Sequence, residues 1–205
     1  MPLPTNYTTG QSVGATDMNN ITNTVNNVVS GVTGSNALQT QVVVAGTAYY
    51  ITGSAITVPS TTVTGMVVGT RFSWETAMMK TAAGTNAFNI IIYRGTNGTT
   101  ADTADVTQSV GTQTAAVDNM TVRVEVVITA TGATGSYFWS VVPNNKAITA
   151  TGFGVATGTA AYSSGTVSSV NLTTAGLKFG IGFSCATGTP TITIPFARAT
   201  VYNLV

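Results

Sequence analysis

The clearest pattern in the chain lies at Thr121-Val-Arg-Val-Glu-Val-Val-Ile-Thr. Val122, Val124, Val126 and Ile128 fall on one side of an extended backbone, and Thr121, Arg123, Glu125 and Thr129 on the other. A strict period of two predicts a half-buried β-strand. Similar runs predict strands at 47–51, 66–74, 88–93, 136–142, 178–184, 189–196 and 199–204, with weaker signals at 55–58, 105–109 and 166–170. Turn-forming stretches separate them, notably Gly95-Thr-Asn-Gly, Thr131-Gly-Ala-Thr-Gly and Pro143-Asn-Asn-Lys. Eight or more short strands with turns between them indicate a sandwich, a jelly roll or a closed barrel. No amphipathic helical stretch lies between the strands, so the chain lacks βαβ alternation. No fixed period of strand and turn recurs, which disfavours a β-helix or a propeller.

Residues 1–30 follow a different pattern. Met18, Ile21, Val25 and Val28 recur at spacings of three, four and three, one stripe of a short helix. Thr16 can cap it, with Asp17 in the first turn facing the positive end of the dipole. The intervening Asn and Thr are weak helix formers, so such a helix needs a surface to dock on. That surface is its own β domain, the same helix of sister subunits, or another component of an assembly. Gly31-Val-Thr-Gly-Ser-Asn reads as a linker. The expected organisation is an N-terminal arm and helix over 1–30, a linker over 31–40 and a β domain over 41–205.

Composition sharpens this picture. Only 6% of the 205 residues are charged, while 43% are hydrophobic. Disordered chains show the opposite balance. Roughly one residue in five is Thr, a β-branched residue suited to a half-buried pleated surface. The net charge is +1, and the basic residues Arg71, Lys80, Arg94, Arg123, Lys146, Lys178 and Arg198 are scattered. Nucleic-acid binding calls for a basic patch, so no nucleic-acid partner is expected. A surface so poor in charge is a solubility hazard for a free monomer and suits self-association. No run approaches the ~20 apolar residues of a membrane span, so no membrane partner is expected. Met-Pro-Leu-Pro-Thr-Asn lacks the basic start and apolar stretch of a signal peptide, and synthesis in a cytoplasm without export is the expectation.

The chain has no histidine, which removes Ser-His-Asp and Cys-His catalysis and most zinc sites. The single Cys185 excludes an intrachain disulfide and sits in a strand-like run, where a buried inert thiol is expected. The acids are Asp17, Glu75, Asp102, Asp105, Asp118 and Glu125. Glycoside hydrolysis needs two carboxylates ~5–9.5 Å apart across a cleft. Glu75 and Asp118 are nominees only because acids are few. Asp102 and Asp105 could offer oxygens to calcium, but they lack the closing Glu of a calcium loop, and loop acids or partners of an Arg is the simpler reading. Asn-x-Thr at Asn6, Asn20, Asn97, Asn119 and Asn171 is expected by chance in such a composition. No glycine-rich phosphate loop is present. No catalytic residue, cofactor or metal is therefore expected. Tyr49, Tyr50, Trp74, Tyr93, Tyr137, Trp139 and Tyr162 are the aromatics that could stack on a sugar, against the plainer reading of core and interface packing. Alternation sends Tyr137 and Trp139 to one face and Phe138 to the other.

Several stretches together resemble tailed-bacteriophage structural proteins. Leu3-Pro-Thr-Asn-Tyr-Thr-Thr-Gly-Gln-Ser-Val-Gly-Ala-Thr-Asp-Met-Asn-Asn is similar to their N-terminal segment, an extended arm followed by a brief helix. Met79-Lys-Thr-Ala-Ala-Gly-Thr and Tyr93-Arg-Gly-Thr-Asn-Gly-Thr look like parts of jelly-roll domains in tail-fibre, minor tail and capsid-decoration proteins, and Thr191-Ile-Thr-Ile-Pro-Phe-Ala-Arg-Ala-Thr-Val-Tyr-Asn looks like their final strands. The resemblance implies an attachment region, an outward β domain and assembly as trimers; it supplies no catalytic or ligand residues. The expectation is an all-β chain, an antiparallel jelly-roll-like sandwich with one short N-terminal helix. It would serve as a non-enzymatic component on the exterior of a virion. Met18, Ile21, Val25 and Val28 would serve attachment or oligomerisation. Its partners would be itself and other virion proteins. The alternative is a receptor-binding module for a host-surface glycan.

Overall fold

The computed structural model describes residues 31–35, 39–58, 66–82, 84–85, 87–145, 152–153, 163–186 and 188–202. Twelve strands are formed there: β1 (Gly31–Ser35), β2 (Gln39–Val42), β3 (Ala48–Tyr50), β4 (Ile56–Thr57), β5 (Arg71–Lys80), β6 (Ala87–Gly95), β7 (Thr103–Thr112), β8 (Asp118–Ala130), β9 (Gly135–Asn145), β10 (Ser163–Val170), β11 (Lys178–Cys185) and β12 (Thr191–Tyr202). They make two antiparallel sheets. Sheet A runs β1-β12-β5-β8-β9-β10, with β2 following β1 along the same edge of β12; sheet B runs β3-β11-β6-β7, with β4 also on β11.

The pairings nest. β6 pairs with β7, β5 with β8, β3 and β4 with β11, and β2 with β12. That is one long hairpin with its tip at β6–β7, rolled so that β12 meets β5 and β11 meets β6. A rolled hairpin closing into two facing sheets is a jelly roll. The β9–β10 hairpin is an addition that widens sheet A beyond β8.

Alternation builds the core between the sheets. Sheet A contributes Phe72, Trp74 and Met78 from β5, Val122, Val124, Val126 and Ile128 from β8, and Tyr137 from β9; sheet B contributes Phe88, Ile90 and Ile92 from β6 and Phe179, Ile181 and Phe183 from β11. Phe72 and Phe179 meet across the gap with ring centroids 4.9 Å apart. The Trp74 indole donates from sheet A to the Ser54 carbonyl at 2.6 Å, which satisfies its only polar atom.

Strand β11 is buried on both sides. Its outward positions, Gly180 and Gly182, lie under Tyr50 and Tyr93, whose rings are 5.3 Å apart. A methyl group at position 180 would occupy the place of the Tyr50 hydroxyl. Gly180→Ala is therefore expected to cost about 1–3 kcal/mol in urea unfolding, the usual penalty for overpacking. An unchanged midpoint would mean that Tyr50 does not rest on this strand.

Several expectations change here. Residues 31–35 and 39–40, expected within a linker over 31–40, belong to edge strands β1 and β2, because an edge strand needs only backbone pairing, which β12 supplies despite the weak side-chain pattern. Pro143 and Asn144 lie within β9, opposite Val122 and Thr121, rather than in a turn. Pro143 lies near the end of β9, beyond Val141, where the described pairing to β10 ends. The two expected C-terminal strands are one, β12, with a register shift between Thr193 and Phe196 around Pro195. The strand expected at 66–74 begins at Arg71 and runs on to Lys80; Gly69 at φ 93° makes the turn before it. No helix occurs among the described residues, and the helical stripe of Met18, Ile21, Val25 and Val28 lies outside them.

Candidate interaction face

The outward side of sheet A gathers charge that is otherwise scarce. Arg71 and Glu75 on β5, Arg123 and Glu125 on β8, and Arg198 on β12 all point the same way, opposite to the core residues between them. Antiparallel register sets them in rows. Arg198, Glu75 and Arg123 face one another across three strands; Thr200, Ser73 and Glu125 form the next row; Tyr202, Arg71, Val127 and Phe138 form the third. Glu125 accepts from Arg123 at 2.7 Å and from Arg71. The Arg71 guanidinium lies over the Tyr202 ring, 5.6 Å from its centroid. A concavity of about 220 Å³ opens among Ser73, Glu75, Arg123, Arg198, Thr200 and Tyr202.

Beside this polar patch the face turns apolar. The shift at Pro195 opens a groove of about 430 Å³ between β12, β5 and β8, lined by Ala77, Met79, Asn119, Thr121, Asn144 and Pro195. Val42, Met79, Phe138 and Tyr202 stand 36–54% exposed on this side, whereas Ile91 and Tyr93 on the outward side of sheet B are only 2–3% exposed. Every exposed large apolar side chain that a described strand carries belongs to sheet A.

The remaining acids hold the fold together. Asp105 takes Arg94 in two hydrogen bonds (2.6 and 3.0 Å) and a third from the Tyr137 hydroxyl at 2.8 Å, which links β6 and β7 of sheet B to β9 of sheet A. Burial, with Asp105 alongside, pushes the Tyr137 phenol far above its ordinary range. Asp102 closes the β6–β7 turn by accepting from the Asn97 backbone (2.9 Å), the Asn97 amide (3.0 Å) and the Gly98 backbone (2.7 Å). Burial alone would raise its carboxyl, but hydrogen bonds from Asn97, Gly98 and Thr99 outweigh that and hold it below the ordinary value. Asp118 accepts from the backbone N–H groups of Asn119 and Phe153 at 2.8 and 3.0 Å.

The nominated carboxylate pair is not brought together. Glu75 is opposite Arg123 and Asp118 opposite Lys80. They are thus five register positions apart, about 16 Å along the strands and on opposite faces. Asp102 and Asp105 serve a turn and an ion pair instead of one cation, and no three His, Cys, Asp or Glu side chains cluster among the described residues. Cys185 is buried, with the Gln113 amide 2.8 Å from its sulfur. Of the nominated aromatics, Trp74, Tyr93 and Tyr137 are buried and Tyr49, Tyr50 and Trp139 half-buried, while Tyr162 lies outside the described residues. Among the described residues the exposed rings are Phe138 and Tyr202, neither of them one of the nominated aromatics. The outward side of β8 was legible as its Arg123–Glu125 alternation; only register adds Arg71, Glu75 and Arg198.

The fold and this face define an antiparallel β-sandwich of jelly-roll winding with one open, mixed polar and apolar side. No protein-family model matches the chain, and a search of curated proteins finds no match either.

Proposed function

We propose that the chain is a non-enzymatic structural protein that works by packing, as a homo-oligomeric component on the exterior of a bacteriophage virion. It is made in the host cytoplasm and attached through residues 1–30. The observation that carries the non-catalytic part is the use made of its acids. Of the five described, Asp102, Asp105, Asp118 and Glu125 are occupied by turns, backbone N–H groups and arginines, which leaves Glu75 alone on an open face. A general acid–base mechanism needs titratable groups converging on one point. The virion assignment rests on the phage-like segments quoted above, and the jelly-roll winding is compatible with it. In density-gradient fractions of a phage lysate the protein is expected to band with intact particles and to be labelled on their surface by antibody. Recovery only in the soluble fraction would refute the assignment.

A second reading, recognition of a host-surface glycan, draws on two exposed rings of the same face, Tyr202 in the wall of the polar concavity and Phe138 on β9. Specific binding on a glycan array, lost in Tyr202→Ala, is its test.

A further inference from the structure

We infer that the seam between β12 and β5 on the outward side of sheet A is a subunit contact. Its partner is the same seam of a second copy of this chain, with Arg198 of each copy paired to Glu75 of the other. The inference rests on the self-assembling role proposed above and adds where the copies meet.

Three observations lead there. The two sides of the sandwich differ, since Tyr50 and Tyr93 fill the outward side of sheet B while the exposed apolar strand residues all stand on sheet A. Within the charged cluster, Arg71, Arg123 and Glu125 are joined to one another, whereas Glu75 and Arg198 are exposed and in no ion pair among the described residues. Those two are also direct register partners. One acid and one base, side by side on an open face, form a patch complementary to itself.

The seam is complementary along its length. A second copy turned over about an axis parallel to the strands would set Arg198 against Glu75 twice. The same operation sets Thr200 against Ser73 and Tyr202 against Arg71, and the apolar row of Phe196 and Ala77 against itself. Each contact is favourable: base with acid, hydroxyl with hydroxyl, aromatic ring with cation. The charges would set register and exclude wrong partners more than they add affinity. An anionic ligand fits less well, because Glu75 stands in the middle of the arginine row. The contact is isologous, so it closes a dimer. Where the resemblance implies trimers, it would join one trimer to the next.

The test is sedimentation velocity on the full-length protein, with Glu75→Arg, Arg198→Glu and the double variant, and thermal midpoints as the control for folding. Each single reversal is expected to weaken association by about tenfold or more with little change in midpoint. The double variant should regain association, and so should an equimolar mixture of the two single variants. Rescue by mixing occurs only if the pair forms between copies, which separates it from a cross-strand pair within one chain. Glu75→Gln and Arg198→Gln serve if a reversal fails to fold, and undiminished association in both would overturn the inference. Wild-type oligomers matched by both reversals would also overturn it while leaving self-assembly intact. A wild-type chain that stays monomeric at micromolar concentration would remove both.

Discussion

Between pH 10 and pH 12 the folded chain is expected to lose stability steadily as the pH rises. The cause is three phenols, each contributing at most about 1.4 kcal/mol per unit. Burial raises Tyr50 from 10.0 to about 12, raises Tyr93, and raises Tyr137 furthest, with Asp105 adding to the last. In the unfolded chain these groups ionise near 10. In the folded chain they hold their protons to higher pH, so over this range the native state binds more protons than the unfolded one, and stability falls as pH rises. Their contribution is fully present below pH 10. Lys80 works in the other direction, because burial lowers its pKa from 10.5, but it is one group against three. Against a total stability of about 5–15 kcal/mol, losses of that size over two pH units are a large fraction of the whole. Thermal midpoints across this range, read with tyrosinate absorbance, check the expectation. Tyr137→Phe should make the decline shallower. Phenols that all titrate near 10 with the fold intact would show that the burial argument is wrong.

Lys80→Ala is expected to destabilise the fold by about 2–4 kcal/mol. The side chain is 2% exposed, and its ammonium donates to the carbonyls of Thr81, Thr114 and Ala116 at 3.1, 2.8 and 3.2 Å. It therefore ties the end of β5 to the connection between β7 and β8. Truncation removes three donated hydrogen bonds and leaves a void where three methylenes and the ammonium lay. Water can reach part of that connection, which keeps the figure below the penalty for a deep ionic site. Lys80→Met fills the void and loses only the hydrogen bonds, so it should cost about half as much. Denaturant midpoints of the two variants measure the difference. Equal stability of Lys80→Ala and wild type would mean that the ammonium is ornamental.

Lys80 also shows where reading a sequence stops. By pattern it was one of seven scattered basic residues. Yet it occupies an inward position of β5, in phase with Phe72, Trp74, Thr76 and Met78. The alternation was there to be read, but a strand expected to end at Trp74 hid it. The grouping of Glu75, Arg71 and Arg198 was equally hidden, because a cluster assembled from three strands has no local signature. Phe138 was placed opposite Tyr137 and Trp139 by alternation, but which side met the core was open. Pairing with β8, where Tyr137 meets Ile128 and Phe138 meets Val127, settles it.

Composition and period by themselves determined the all-β class, most of the strands and the turns after Gly95 and Thr131. Those follow from local physics, in which side chains alternate every residue and glycine, asparagine and threonine punctuate the runs. The tertiary structure alone decided the nesting of strand pairs, the edge strands made from 31–35 and 39–42, the burial of Lys80 and the row Arg198–Glu75–Arg123. Each of these depends on register between segments as many as 170 residues apart, Gly31 and Val201 among them. Register is a cooperative property of backbone hydrogen bonds and a shared core, so no short window of sequence contains it.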